Sequence, residues 1–291
     1  MDVSVGIGLA FVAMLCWGFG DFLIQKSTRK VGDWETLFVI CGFGALILLP
    51  FVWRDLPAIL SGDGRSLLIL LGTGIILFIA ALFDFEALKK GKLAVVEPIW
   101  SLEVPAAAIL AFLILDESIT LTQGFLIAAL IIGLILVSIH TEHSLKKFLL
   151  EKGVLIAFFA AFIMGAANFF YGWGARVSDP LMINFFVNVF VTVATTIYLV
   201  ATKKFGKTLK DAISYRSVLL PMSIFDNAAW IAFAFAMSLA PIAIATALSE
   251  SYILVAVILG LAVNRERIDL HQKFGLVIAL ISAIILAVVT V

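Results

Sequence analysis

Seven carboxylates stand inside long apolar runs of this sequence: Asp21, Asp84, Glu86, Glu97, Glu103, Asp226 and Glu250. No Lys, Arg or His shares those runs. An acid at the centre of a membrane helix costs roughly 2.5–3.5 kcal/mol on insertion scales, so such residues are functional candidates by default. Depth sorts them. Asp21, Asp84, Glu86 and Glu97 lie within about two helical turns of run ends that carry bases, where pairing with Lys26, Lys89, Lys90 or Lys92 would account for them. Glu103, Asp226 and Glu250 lie deeper, roughly 12–15 Å from the nearer end at 1.5 Å of rise per residue. Desolvation disfavours the charged form of a carboxyl, so each can hold a proton or exchange it for a cation. The alternative is that each stays protonated and hydrogen-bonds a neighbouring helix.

Aromatic residues accompany these acids. Trp100 is three residues from both Glu97 and Glu103, Trp230 four beyond Asp226, Tyr252 two beyond Glu250, and Trp17 four before Asp21. A carboxylate beside an aromatic face is what an organic cation requires, charge on one side and a cation–π contact on the other. With 12% of the chain aromatic, lipid-facing filler is the competing explanation. Pro98 and Pro105 bracket Glu103, and Pro105 cannot donate to the carbonyl of Ser101, which leaves an acceptor for substrate or for a neighbouring helix. Asn168, Asn184, Asn188 and Asn227 are polar groups inside runs, suited to interhelical bonding. Asn168 joins the candidate set because the internal repeat sets it opposite Asp21.

The elements that position these residues are apolar helices. The chain is 63% apolar and 14% charged, against roughly 45–50% and about 25% in soluble proteins, which excludes an ordinary soluble domain. Ten apolar runs, near 4–25, 36–53, 66–88, 93–115, 121–139, 153–175, 181–202, 217–239, 242–263 and 274–290, nearly exhaust it. The expected fold is an all-α, multi-pass integral membrane protein of ten transmembrane helices. Twenty bases against twenty acids leave no excess that would bind nucleic acid.

A shift of 149 residues sets Glu117 on Glu266, Leu121 on Leu270, Gln123 on Gln272 and Phe125 on Phe274. A shift of 147 sets Gly18 on Gly165, Asp21 opposite Asn168 and Phe22 on Phe169. Individually weak, these matches share a near-constant offset. They divide the chain into a first five-helix repeat (1–139), a connecting loop (140–152) and a second repeat (153–291). Five helices per half require the second to be inverted relative to the first.

The glycine-rich first run with Trp17-Gly18, a fourth run ending in Leu115-Asp116-Glu117, and the Leu-x-Gln that follows resemble the ten-helix EamA-type branch of the drug/metabolite transporter superfamily. The resemblance spans essentially the whole chain. It implies two inverted repeats and secondary transport of a small solute, in a prokaryotic cell (inner) membrane. The second half departs from the family pattern at Glu250-Ser251-Tyr252, where a proline is common, and at Asn264-Arg265-Glu266.

Seventeen of the twenty bases fall on the side opposite the termini. The positive-inside rule therefore puts both termini outside the cytoplasm, whereas members of the resembling family usually keep theirs within. Other chemistries lack residues. Cys16 and Cys41 lie inside runs and do not suggest a disulfide. His140, Glu142, His143 and His271 are too few for a closed metal site. No Walker-type glycine loop is present, and no run carries a histidine base for hydrolysis. The expectation is thus no enzyme, cofactor or metal, but a secondary transporter, monomer or homodimer, whose partners are protons, the lipid bilayer and a small solute. A cationic or zwitterionic solute is favoured. A neutral-metabolite or amino-acid exporter, or a non-transporting receptor or scaffold, are the alternatives.

Overall fold

The computed structural model describes residues 2–61, 64–90, 99–138, 153–255 and 269–291. Among the described residues the chain is helical, without strands. The helices are α1 (Val3–Val31), α2 (Asp33–Val52), α3 (Leu56–Ser61), α4 (Gly64–Lys90), α5 (Glu103–Leu115), α6 (Leu121–Ser138), α7 (Val154–Val177), α8 (Pro180–Ala201), α9 (Phe205–Ser214), α10 (Arg216–Leu239), α11 (Ile242–Ser249) and α12 (Leu270–Thr290). Seven of them (α1, α2, α4, α7, α8, α10 and α12) are long and apolar enough to cross a bilayer, and the stretches containing α5, α6 and α11 are shorter apolar helices. The protein is an integral, multi-pass membrane protein.

Local chemistry sets the helix boundaries. Gly32, at φ +113°, makes the turn from α1 to α2, donating its N–H to the carbonyl of Thr28 while its own carbonyl accepts from Thr36. Asp179 caps α8 by accepting from the N–H groups of Leu181 (2.7 Å) and Met182 (3.3 Å), and Pro180 follows where its missing N–H costs nothing. Asp116 closes α5 in the left-handed region, a conformation Asp adopts more readily than most residues.

Large apolar side chains such as Leu46, Leu68, Phe125 and Val288 point outward, while Ala10, Ala13, Ala80, Ala157, Ala160 and Ala161 are fully buried. Small residues inside and large ones facing lipid let helix backbones approach closely. One such close approach joins α6 to α12. A Cβ at Gly133 would lie 2.8 Å from the carbonyl oxygen of Gly275, and one at Gly275 2.7 Å from that of Gly133.

Packing pairs elements from different halves. α1 lies along α10 and α4 along α7, while α2 pairs with α8 and α6 with α12. Matching the five main helices of each half in order, α1 corresponds to α7, α2 to α8, α4 to α10, α5 to α11 and α6 to α12. Exchanging the halves converts the α1–α10 pair into α7–α4 and returns the other two pairs to themselves. The helix termini repeat too. Thr120 and Gln123 cap α6 reciprocally, and Asp269 and Gln272 form the same capping box at α12, 149 residues on. Each glutamine then crosses to the other half, Gln123 donating to Thr290 (3.3 Å) and Gln272 to the carbonyl of Val137 (2.9 Å).

Candidate functional site

Two matching helix interruptions bring acids toward the centre. Residues 99–100 are helical, 101–102 form a turn, and α5 restarts at Glu103. In the other half α11 stops at Ser249, Glu250–Tyr252 form a 3-10 turn, and helix resumes at 253–255. Adding 149 carries residues 101–102 onto 250–251, so the interruption recurs although the acid differs by two positions. Interrupted helices free backbone groups and are tolerated in a membrane where they line a cavity or are buried in protein. Pro105 falls in the first turn of α5, where its N–H would have had no intrahelical partner, so it does not break a formed helix.

A glycine from the facing helix abuts each interruption. A Cβ on Gly165 of α7 would sit 2.7 Å from the carbonyl oxygen of Glu103 and 2.6 Å from the Cβ of Ala106. One on Gly18 of α1 would sit 2.8 Å from the Cβ of Val255 and 3.3 Å from the carbonyl oxygen of Tyr252.

Between these segments lies a cavity with about 900 Å³ of space free of atoms, its open mouth included. Five carboxyls line it: Asp21, Asp84, Glu103, Asp226 and Glu250. Among its described lining residues there is no Lys, Arg or His. Glu103 accepts a 2.9 Å hydrogen bond from the amide of Asn168, and the indole of Trp230 lies beside Asp226. Glu250 interacts electrostatically with Asp21 and Asp84. The aromatic wall beside Asp226 is built edge to face. Trp17 and Trp230 meet at 5.3 Å between ring centroids, Trp17 and Phe233 at 5.1 Å, and Tyr171 and Trp230 at 4.7 Å.

Of the residues singled out from sequence, Glu103, Glu250, Asp226, Asp21, Asn168, Trp17, Trp100, Trp230 and Tyr252 share this one cavity. Ser101 is buried but does not line it. Glu97 lies outside the described residues, as do His140, Glu142 and His143. The cavity also takes in residues that sequence reasoning assigned elsewhere or passed over. Asp84, expected to pair with a lysine, faces it, whereas Glu86 does pair, with Lys90 (2.6 Å) and Lys89 (3.6 Å). Tyr171 donates to Asn184 (2.7 Å) and Asn188 to Asn227 (3.1 Å), so both lining groups belong to a buried polar network. Their sequence signal was a polar residue in an apolar run, which specifies no partner.

The two ends of the bundle are tied differently. On the side of the termini, Arg176 at the end of α7 pairs with Glu117 (2.8 Å) and donates to the carbonyls of Met237 (2.8 Å) and Ala240 (2.9 Å). Glu117 also accepts from the N–H of Ile242 (2.9 Å), so this cluster clamps both halves together. On the opposite side lysines that are more exposed than Arg176 reach buried acids, Lys89 pairing with Asp33 (3.2 Å) and Lys204 with Glu35 (3.7 Å). Partial burial works against the charge on Lys89, but Asp33 and Glu86 outweigh it and push the ammonium above the ordinary lysine range.

A family model described as the EamA-like transporter family matches residues 4–139 and 151–288, one match to each half. An uncharacterized protein of Methanocaldococcus jannaschii is 27% identical over 139 residues, which make up 48% of this chain and 98% of that protein. That relative is thus about as long as one repeat. A crystal structure of another protein superposes on the whole chain and on 98% of its own length, with a TM-score of 0.74 and 12% identity. At that identity the likeness speaks for the fold alone.

Proposed function

Since the chain belongs to the EamA-like transporter family, we propose that it carries a small organic cation or zwitterion through this cavity by alternating access, as a proton-coupled secondary transporter. The observation that carries the reading is the cavity: five carboxyls on five helical segments, with no base among the described lining residues. In such a site charge balance comes from what binds, whether protons or a positively charged solute. Glu103, Glu250 and Asp226 exchange protons, and the rings of Trp17, Trp100 and Trp230 supply apolar and cation–π surface.

Two five-helix halves, inverted relative to each other within ten membrane helices, provide the two access states, each half swapping the role of the other. The reciprocal capping boxes and the exchange of helix pairs between halves support that arrangement. The protein sits in a prokaryotic inner membrane, and the seventeen-to-three distribution of bases favours termini outside the cytoplasm. A reporter active only outside the cytoplasm, fused after Val291, will then report; activity of a cytoplasmic reporter there reverses the orientation.

Flux into proteoliposomes tests the function. An imposed proton gradient will drive amine uptake, and Glu103→Gln and Glu250→Gln will each reduce it. Intact flux with unchanged pH dependence in both variants would remove these carboxyls from the coupling mechanism.

A further inference from the structure

The cavity distinguishes between the two solute classes left open above. We infer that its substrate is an organic cation without a carboxylate, an amine or quaternary ammonium, and not an amino acid; the inference rests on the transport reading just given. A zwitterion brings a carboxylate that must find a cation or strong donors once water is stripped away. Among the described lining residues no side chain is cationic.

Several of the neutral donors are engaged. The amide of Asn168 donates to Glu103 and that of Asn188 to Asn227, while the Asn227 amide donates to the carbonyls of Ile40 (3.1 Å) and Ser223 (2.9 Å). The Tyr171 hydroxyl is spent on Asn184, and the Trp230 indole lies beside Asp226. A substrate carboxylate would therefore meet neutral donors at best, the indoles of Trp17 and Trp100, and no cation among the described lining residues, beside five other carboxyls. An ammonium meets the opposite situation. Asp226 offers it a carboxyl, and Trp17, Trp230 and Tyr171 offer ring surface beside that carboxyl.

Matched pairs that differ by one carboxylate isolate this point: phenethylamine against phenylalanine, and cadaverine against lysine, each as radiolabelled solute with the full-length protein in proteoliposomes. The amine is expected to move faster than its amino acid by about a hundredfold, as befits an unpaired buried charge. Phenylalanine or lysine moving as fast as its amine overturns the inference and leaves zwitterion transport standing. No protein-dependent movement of any of the four removes the transport reading as well. Trp230→Leu supplies an independent check on the binding pole, since the amine KM should rise by about tenfold while the protein still folds. An unchanged KM in folded Trp230→Leu protein displaces the cation from the aromatic pole.

Discussion

In the first half, Glu103 opens a helix and receives a hydrogen bond of 2.9 Å from Asn168 on α7; in the second, Glu250 lies inside the interruption, and the residue of α1 that corresponds to Asn168 is Asp21. Corresponding positions thus hold an amide on one side and a carboxyl on the other, so Glu103 has an amide partner beside its carboxyl neighbours whereas Glu250 interacts with the carboxyls of Asp21 and Asp84. An amide satisfies a carboxylate without any transferable proton. Two carboxyls so placed, with no base among the described lining residues, favour taking up a proton or a cation between them. On the proposed transport reading the duplicated scaffold has an amide-braced pole at Glu103 and a two-carboxyl pole at Glu250, the second giving up its proton to a cation more readily. In this comparison the asymmetry between the repeats matters more than their symmetry.

The largest effect should separate those poles. Glu250→Gln is expected to lower proton-driven amine flux by roughly a hundredfold, the scale set by about 3 kcal/mol for losing one member of a buried charged set. Glu103→Gln keeps a carbonyl that can accept from Asn168, and its loss should be nearer tenfold. Equal losses in the two variants would erase the distinction. Asp21→Asn sharpens it further by giving the two-carboxyl pole an amide like that of the amide-braced one. Flux in that variant should depend less steeply on pH between about 5 and 8, a window in which ordinary carboxylates no longer titrate. A retained pH profile would assign the exchangeable proton to other residues.

The glycines that admit the two interruptions provide a second contrast. Alanine at position 165 drives a methyl against the backbone of Glu103, which cannot rotate away, whereas alanine at position 18 meets chiefly the side chain of Val255. Overpacking costs about 1–3 kcal/mol, and the upper end belongs where the obstacle is backbone. Gly165→Ala should lower the melting temperature in detergent by several degrees more than Gly18→Ala. The reverse order would mean that the α1 contact is the stiffer of the two.

Much of this arrangement was legible in the sequence because membrane helices are written as runs, and every run has helix among its described residues. The acids stood out because nothing apolar explains them. Which way an acid faces was less accessible. Asp84 and Glu86 are two residues apart, about 200° around a helix, so depth alone grouped them while rotation separates them, one toward the cavity and one toward Lys89 and Lys90. The free acceptor expected at Ser101 from Pro105 required a helix already formed there, and the turn at 101–102 removes that premise. The bonds from Tyr171 to Asn184 and from Asn188 to Asn227 depend on how helices cross, which no local spacing encodes.

The Leu-x-Gln motifs show how a local signal can also carry a long-range contact, and they yield the smallest contrast. Gln123 and Gln272 each complete a capping box, and each spends its amide on the opposite half. Gln272 is buried and binds the backbone carbonyl of Val137, a group left without that donor if the side chain is removed. Gln123 is less buried and binds the hydroxyl of Thr290 near the chain end, a group that already donates to the carbonyl of Leu286. Gln272→Ala should therefore cost about 2 kcal/mol, a cap plus a buried acceptor, and Gln123→Ala about 1 kcal/mol or less. Denaturant titration of both variants in the same detergent will read the difference. Equal costs would show that the α6–α12 seam draws its stability from the Gly133–Gly275 crossing and not from the glutamines that flank it.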